Sequence, residues 1–253
     1  TVTITAAGLQ GLTEGSVTMT ADVSDAAGNA AAQVTSSAFT YDKTAPTVSS
    51  FTMSDTALDA DDTATVTIVF SHAVSGFASD DDVTVVNGAL PSMTSSDDIT
   101  WTGTYTPTAD VEDSTNVLTL GTNWTDTAGN AYAGVATPTA NFTIDTSTPS
   151  IGAIGTGAFS WGTHLNATED NNNGTVTVTT TGVEDGQTVT ITLNGSTYTN
   201  TVSSDATTVT ITAAGLQGLT EGSVTMTADV SDAAGNAAAQ VTSSAFTYDK
   251  TAP

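Results

Sequence analysis

Residues 1–46 recur without a single substitution as residues 208–253, displaced by 207 positions. Any fold proposed for the second stretch must therefore be offered locally by the first. A weaker copy lies between them. "SDAAGNAAAQ…FTYDKTAP", at 24–46 and 231–253, is echoed by "TDTAGNAYAG…FTIDTSTP" at 125–149. The pairs Gly28-Asn29, Gly129-Asn130 and Gly235-Asn236 are spaced 101 and 106 residues apart, and Pro46, Pro149 and Pro253 are 103 and 104 apart. The displacement is thus two units of about 103 residues. The expected layout is the C-terminal part of a unit at 1–46, holding strands E to G, and whole units at 47–149 and 150–253. Repeats that contact only their neighbours build quasi-one-dimensional rods. Duplication without divergence suits a chain in which one more copy only adds length.

Within a unit the signal is strand. "TATVTIVF" (63–70), "GTVTVTT" (174–180), "TVTITLNG" (188–195) and "SVTMTADV" (223–230) alternate Thr with Val, Ile or Met. Period two places the aliphatic residues on one buried face and the β-branched threonines on the other. Asn87-Gly88, Asn173-Gly174, Asp185-Gly186 and Asn194-Gly195 read as turns between strands. No helical stripe is visible. About seven short strands per hundred residues predict an all-β protein of tandem immunoglobulin-like β-sandwiches in a linear rod. Trp101, Trp124 and Trp161 read as core or edge aromatics.

Charge narrows the function. There are 27 acidic residues against 2 basic ones, Lys43 and Lys250, for a net charge of −25. Nucleic acid and anionic membrane surfaces both need clustered Lys and Arg, so neither is an expected partner. Disorder does not fit 38% hydrophobic residues set in alternating runs. With no cysteine, disulfide staples and thiolate metal sites are unavailable, and a cation is the expected substitute. No basic-then-apolar signal pattern opens the chain, which reads as a piece of something longer.

The paired pattern "VSDAAGNAAA…FTYDKTAP" and "TDTAGNAYA…FTIDTSTP" resembles the bacterial Ig-like repeats in the extender regions of giant, type I-secreted surface adhesins. "GTVTVTTTGVEDGQTVTITLNGSTYT" and "TATVTIVFSHAVSGFASDDDVTVVNGAL" look like the front halves of two such domain types. The resemblance implies an extracellular stalk at the bacterial cell surface, serving adhesion or biofilm formation, with Ca2+ at or near the domain junctions. It assigns no individual ligand.

Candidate ligands follow from the sandwich topology. The loop before the last strand and the B–C loop both lie at a unit's N-terminal pole, where the preceding linker arrives. At the second junction this gathers Asp145 from the linker, Glu184 and Asp185 from the B–C loop, and Asp232 with Asn236. At the first junction it gathers Asp42, the run Asp80, Asp81 and Asp82, and Asp126 with Asn130. Asp25 and Asp249 are the repeat equivalents at the chain's two ends. These are oxygen donors only, as Ca2+ requires with its six to eight oxygen ligands. Asp-x-x-Gly-Asn is also good turn chemistry without a metal. Asp55, Asp59, Asp61 and Asp62, with Asp110, Glu112 and Asp113, fall at the opposite pole and read as a further site or a solvated acidic face.

No catalytic constellation appears. His72 and His164 occupy unrelated positions, and acidic pairs recur in every unit, whereas an active site is normally unique. The expectation is a non-enzymatic extender whose partners are neighbouring repeats, with lateral or trans contacts to other copies left open. The alternative is an Ig-like module that grips glycan or protein through loops special to one unit. The first 46 residues lack strands A to D. The expectation there is a window on a longer filament, with completion by another chain as the alternative.

Overall fold

The computed structural model describes residues 1–252; Pro253, the last of the unit-ending prolines, lies outside the described residues. Two separate hydrophobic cores form, one within residues 51–144 and one within 151–248. Each is enclosed by two β-sheets, the immunoglobulin-like sandwich that alternation predicts.

In the 47–149 unit, Ala64–Phe70 buries Val66, Ile68 and Phe70 on one face. It lies between Val48–Met53 and Thr100–Pro107, and Gly88–Ala89 joins on the far side of the latter. The facing sheet runs Glu112–Asn116 beside Phe142–Asp145, which pairs in parallel with Ala57–Leu58. Trp124 closes the core, its ring 4.6 Å from Phe70 and stacked on Tyr132 at 4.5 Å.

In the 150–253 unit, Gly174–Thr181 takes the central place between Ser150–Ile151 and Ala206–Ile211. The facing sheet orders Ser196–Thr201, Thr188–Leu193, Thr227–Asp229 and Val241–Thr242, and Phe246–Tyr248 lies between Gly222–Val224, antiparallel, and His164–Leu165, parallel. The extra strand therefore joins opposite sheets in the two units: Gly88–Ala89 sits on Thr100–Pro107, whereas Ser196–Thr201 sits on Thr188–Leu193. Burial of alternate residues gives about 25 cal/mol per Å2 of apolar area in either arrangement, so the fourth strand is free to differ.

Three local readings need correction. "SVTMTADV" is broken into Gly222–Val224 and Thr227–Asp229, with Met226 buried at the break. Asn173-Gly174 is no turn: Gly174 begins a strand beneath Trp161, where an added Cβ would lie 2.4 Å from the indole ring. Short helices also appear at Ala6–Gln10 and Ala213–Gln217, each capped by a threonine hydroxyl (Thr5, Thr212) that accepts from a backbone N–H three residues on. Five residues are too few to show a 3.6-residue stripe, so sequence periodicity was blind to them.

Candidate functional site

The linker aspartates adopt one local structure. Asp42, Asp145 and Asp249 each accept from the N–H two residues on, at 2.9, 3.1 and 3.0 Å. This aspartate turn ends the last strand and sets the direction in which the chain leaves the unit. The Asp-x-x-Gly-Asn loops are equally uniform. Asp25, Asp126 and Asp232 each accept two loop N–H groups on Oδ1 at 2.9 Å and the asparagine Nδ2 on Oδ2 at 2.8–2.9 Å. Gly28, Gly129 and Gly235 supply the positive φ the loop requires, at 91°, 93° and 115°.

At the second junction these two devices meet. Asn236, only 5% exposed, donates from Nδ2 to the Asp145 carbonyl at 2.9 Å and accepts on Oδ1 from Ala60 N–H at 2.8 Å. Ala60 belongs to the turn that contains Asp59, Asp61 and Asp62. Glu184 accepts from Ala233 N–H at 2.8 Å, tying the loop after Gly174–Thr181 to the same place. A cavity of about 230 Å3 opens here, lined by Glu112, Asp145, Glu184, Asp205 and Asp232 together with Ser147, Gly182 and Val183. Five carboxylates share one cavity, and no cation lines it.

The charge crowding registers on Asp145. Its burial pushes the carboxyl above the usual aspartate range, and the negative charges of Asp232 and Glu184 push the same way against the Ser147 N–H. Asp126, at the first junction, behaves oppositely. Burial raises it, but hydrogen bonds from Asn130 and the Ala128 and Gly129 N–H groups outweigh that and hold it below the usual range.

Of the residues expected there, Asp145, Glu184 and Asp232 come together around the cavity, and Asn236 sits beside them with both amide atoms engaged by backbone. Asp185 does not line the cavity. It caps the next turn by accepting from Ser204 N–H at 2.7 Å. At the first junction Asn130 reaches the Asp42 carbonyl at 3.3 Å, and Asp126 holds Asn130. Asp80, Asp81 and Asp82 form a helical turn in which Asp82 accepts from Ala78 N–H at 2.9 Å. Among the described residues no hydrogen bond joins that run to Asp42, Asp126 or Asn130. Asp25 remains exposed within its own loop, and Asp249 lines a cavity of about 390 Å3 with Asn166, Glu169 and Lys250.

Two cavity residues were not among the expected ligands of this junction. Glu112, expected in a cluster at its own unit's opposite pole, lines this cavity because that pole meets the next unit's N-terminal pole; the aspartates of that cluster do not line it. Asp205 follows Ser196–Thr201, a strand the alternation did not isolate; its φ of 61° marks the turn. Among the described residues no three His, Cys, Asp or Glu side chains are gathered closely enough to hold an ion as they stand. The donor set itself, carboxylate oxygens with the Ser147 hydroxyl, suits a hard cation and not a thiophilic one. No helix is long and apolar enough to cross a membrane among the described residues.

A sequence model of the bacterial Ig-like domain matches residues 42–144. Among solved structures, a Ca2+-stabilized adhesin said to help an Antarctic bacterium reach out and bind ice is 24% identical over 94% of this chain, with a TM-score of 0.42. The chain spans 58% of that protein's length. A structure from a 1.5-MDa bacterial ice-binding adhesin is 24% identical, covered over 99% of this chain and 79% of its own, with a TM-score of 0.43. A bacterial immunoglobulin-like domain from the M. primoryensis ice-binding adhesin is 30% identical over 94% of its length and 40% of this chain, with a TM-score of 0.29. No match is found among curated proteins. Residues 42–144 of the chain belong to the bacterial Ig-like domain family.

Proposed function

We propose that this chain is part of the extender of a bacterial cell-surface adhesin, a series of Ig-like units that holds a distal binding domain away from the cell. Its role is mechanical and extracellular, and Ca2+ stiffens its joints. The observation that carries this reading is the cavity between the second and third units, with Glu112, Asp145, Glu184, Asp205 and Asp232 around it and no cation among its lining residues. Without a bound ion these groups repel, and the joint relaxes by opening. A divalent cation between them would draw Asp145 and Glu112 of one unit toward Glu184, Asp205 and Asp232 of the next. The raised Asp145 carboxyl adds a signature, since a cation binds the ionised form and would release any proton held there.

Calcium titration by calorimetry and thermal unfolding tests the reading. A ligand that binds only the folded form at a hundredfold excess over Kd adds about 2.7 kcal/mol. That corresponds to a melting shift of roughly 10 °C or more for a unit of this size. Asp145→Asn should weaken the response sharply. No binding heat and no change in melting on adding Ca2+ would end the proposal.

A further inference from the structure

The two junctions share a contact that uses no metal. In each, the asparagine of the Asp-x-x-Gly-Asn loop donates from Nδ2 to the backbone carbonyl of the preceding linker's aspartate: Asn236 to Asp145 at 2.9 Å and Asn130 to Asp42 at 3.3 Å. In each, the loop's own aspartate takes the other Nδ2 hydrogen, Asp232 and Asp126 both at 2.9 Å. At the second junction Oδ1 also accepts from Ala60 N–H at 2.8 Å. An amide flipped the other way would face two acceptors with an oxygen and a donor with an NH2, so the surroundings permit one orientation only.

We propose that the Asp-x-x-Gly-Asn loop is an interunit plug, with Asn130 and Asn236 as latch residues that recognise the backbone of the preceding unit's linker. The partner it fits is an Asp-x-x-x-Pro linker turn, which offers the aspartate carbonyl at the mouth of the joint. Recognition through backbone explains how one loop accepts different neighbours. Asn130 seats on Asp42-Lys-Thr-Ala-Pro46, and Asn236 seats on Asp145-Thr-Ser-Thr-Pro149. The two linkers share only Asp and Pro in register. Units of different sheet arrangement can therefore follow one another in any order without redesign of the joint. Asp25–Asn29 has the same sequence as Asp232–Asn236 and the same two bonds from the asparagine to the loop aspartate, and Asn29 is exposed.

The latch does not rest on the calcium reading, because its contacts need no ion. Spin labels on the 47–149 and 150–253 units of the full chain, read as a distance distribution in Ca2+ and in chelator, separate the two. Asn236→Asp keeps the shape but replaces the donating NH2 by an oxygen facing two acceptors. It should raise the population of displaced orientations roughly fivefold to tenfold in both conditions, as expected for loss of a buried hydrogen bond between units. A calcium response that vanishes in the parent chain while the variant still broadens would retire the metal and keep the latch. An unchanged distribution in the variant would overturn the latch. If Asn236→Asp instead unfolds the third unit, hydrogen exchange of the Asn236 side-chain NH2 in the parent chain decides: slower exchange than at Asn29, whose NH2 meets only its loop aspartate, in Ca2+ and in chelator keeps the latch, and equal rates at the two overturn it.

Discussion

Residues 1–46 and 208–253 are the same sequence in two surroundings. Their local structures agree closely. Thr5 and Thr212 cap matching helices at 3.2 Å, and Gln33 and Gln240 reach Asp22 and Asp229 at 2.9 and 3.1 Å. Gly15–Val17 pairs with Phe39–Tyr41 in the register in which Gly222–Val224 pairs with Phe246–Tyr248. Burial separates them. Phe246 is 2% exposed and Phe39 38%; Val209 is 0% and Val2 91%. The strand Ala206–Ile211, paired with Gly174–Thr179, has no counterpart at Thr1–Ile4. Turns, caps and the last hairpin are thus written in 46 residues, whereas the core needs the residues 150–207 that precede the second copy.

The largest effect should come from supplying that partner. Joining a second copy of residues 150–207 ahead of Thr1 recreates the sequence of the third unit there. The stability of residues 1–46 should rise from near zero, as for strands with one apolar face uncovered, to on the order of 5 kcal/mol. Segmentally labelled NMR reads it, since the two copies are indistinguishable by peptide mass. Signals from 1–46 should move onto those of 208–253; if they stay apart, the neighbour is not what separates the copies.

Next is a paired truncation. Phe246→Ala removes a ring packed against Phe159 and Trp161 and should cost about 3–5 kcal/mol in denaturant unfolding of the third unit. Phe39→Ala, the same change in the other copy, should cost less than about 1 kcal/mol. Equal losses would mean that residues 1–46 have a core of their own.

The smallest effect sharpens the comparison from the other side. Glu14 is held below the usual carboxylate range by the Lys43 N–H and the Thr44 hydroxyl, and Glu221 by the Thr251 hydroxyl and the Lys250 N–H. These contacts are local, so the two glutamates should titrate together by carboxyl NMR despite their different surroundings. A depressed folded-state value stabilises above the unfolded value, and that contribution fades as pH falls through the folded one. A normal Glu14 beside a depressed Glu221 would show that the linker clasp needs the core.

The same division explains what could be read from the residues. Alternating threonines exposed the strands and the sandwich because period two is a local signal. That Asp145, Glu184 and Asp232 line one cavity was legible because loop order fixes which pole a loop occupies. Glu112 was misplaced, since two poles of different units make one joint and a single unit's plan does not show that. Asp205 escaped because Ser196–Thr201 carries mainly polar residues on both faces, leaving no alternation to mark the strand before it. Asn130 and Asn236 were read as cation ligands, an oxygen-only view of a side chain whose NH2 reaches the linker carbonyl in both joints.

Small-angle X-ray scattering of the full chain in Ca2+ and in chelator addresses the proposed function most directly. A stalk whose acidic joints are drawn together by cations should show a longer maximum dimension and a more rod-like profile with Ca2+, and a shorter, broader distribution of distances in chelator. Superimposable profiles in the two conditions would contradict it.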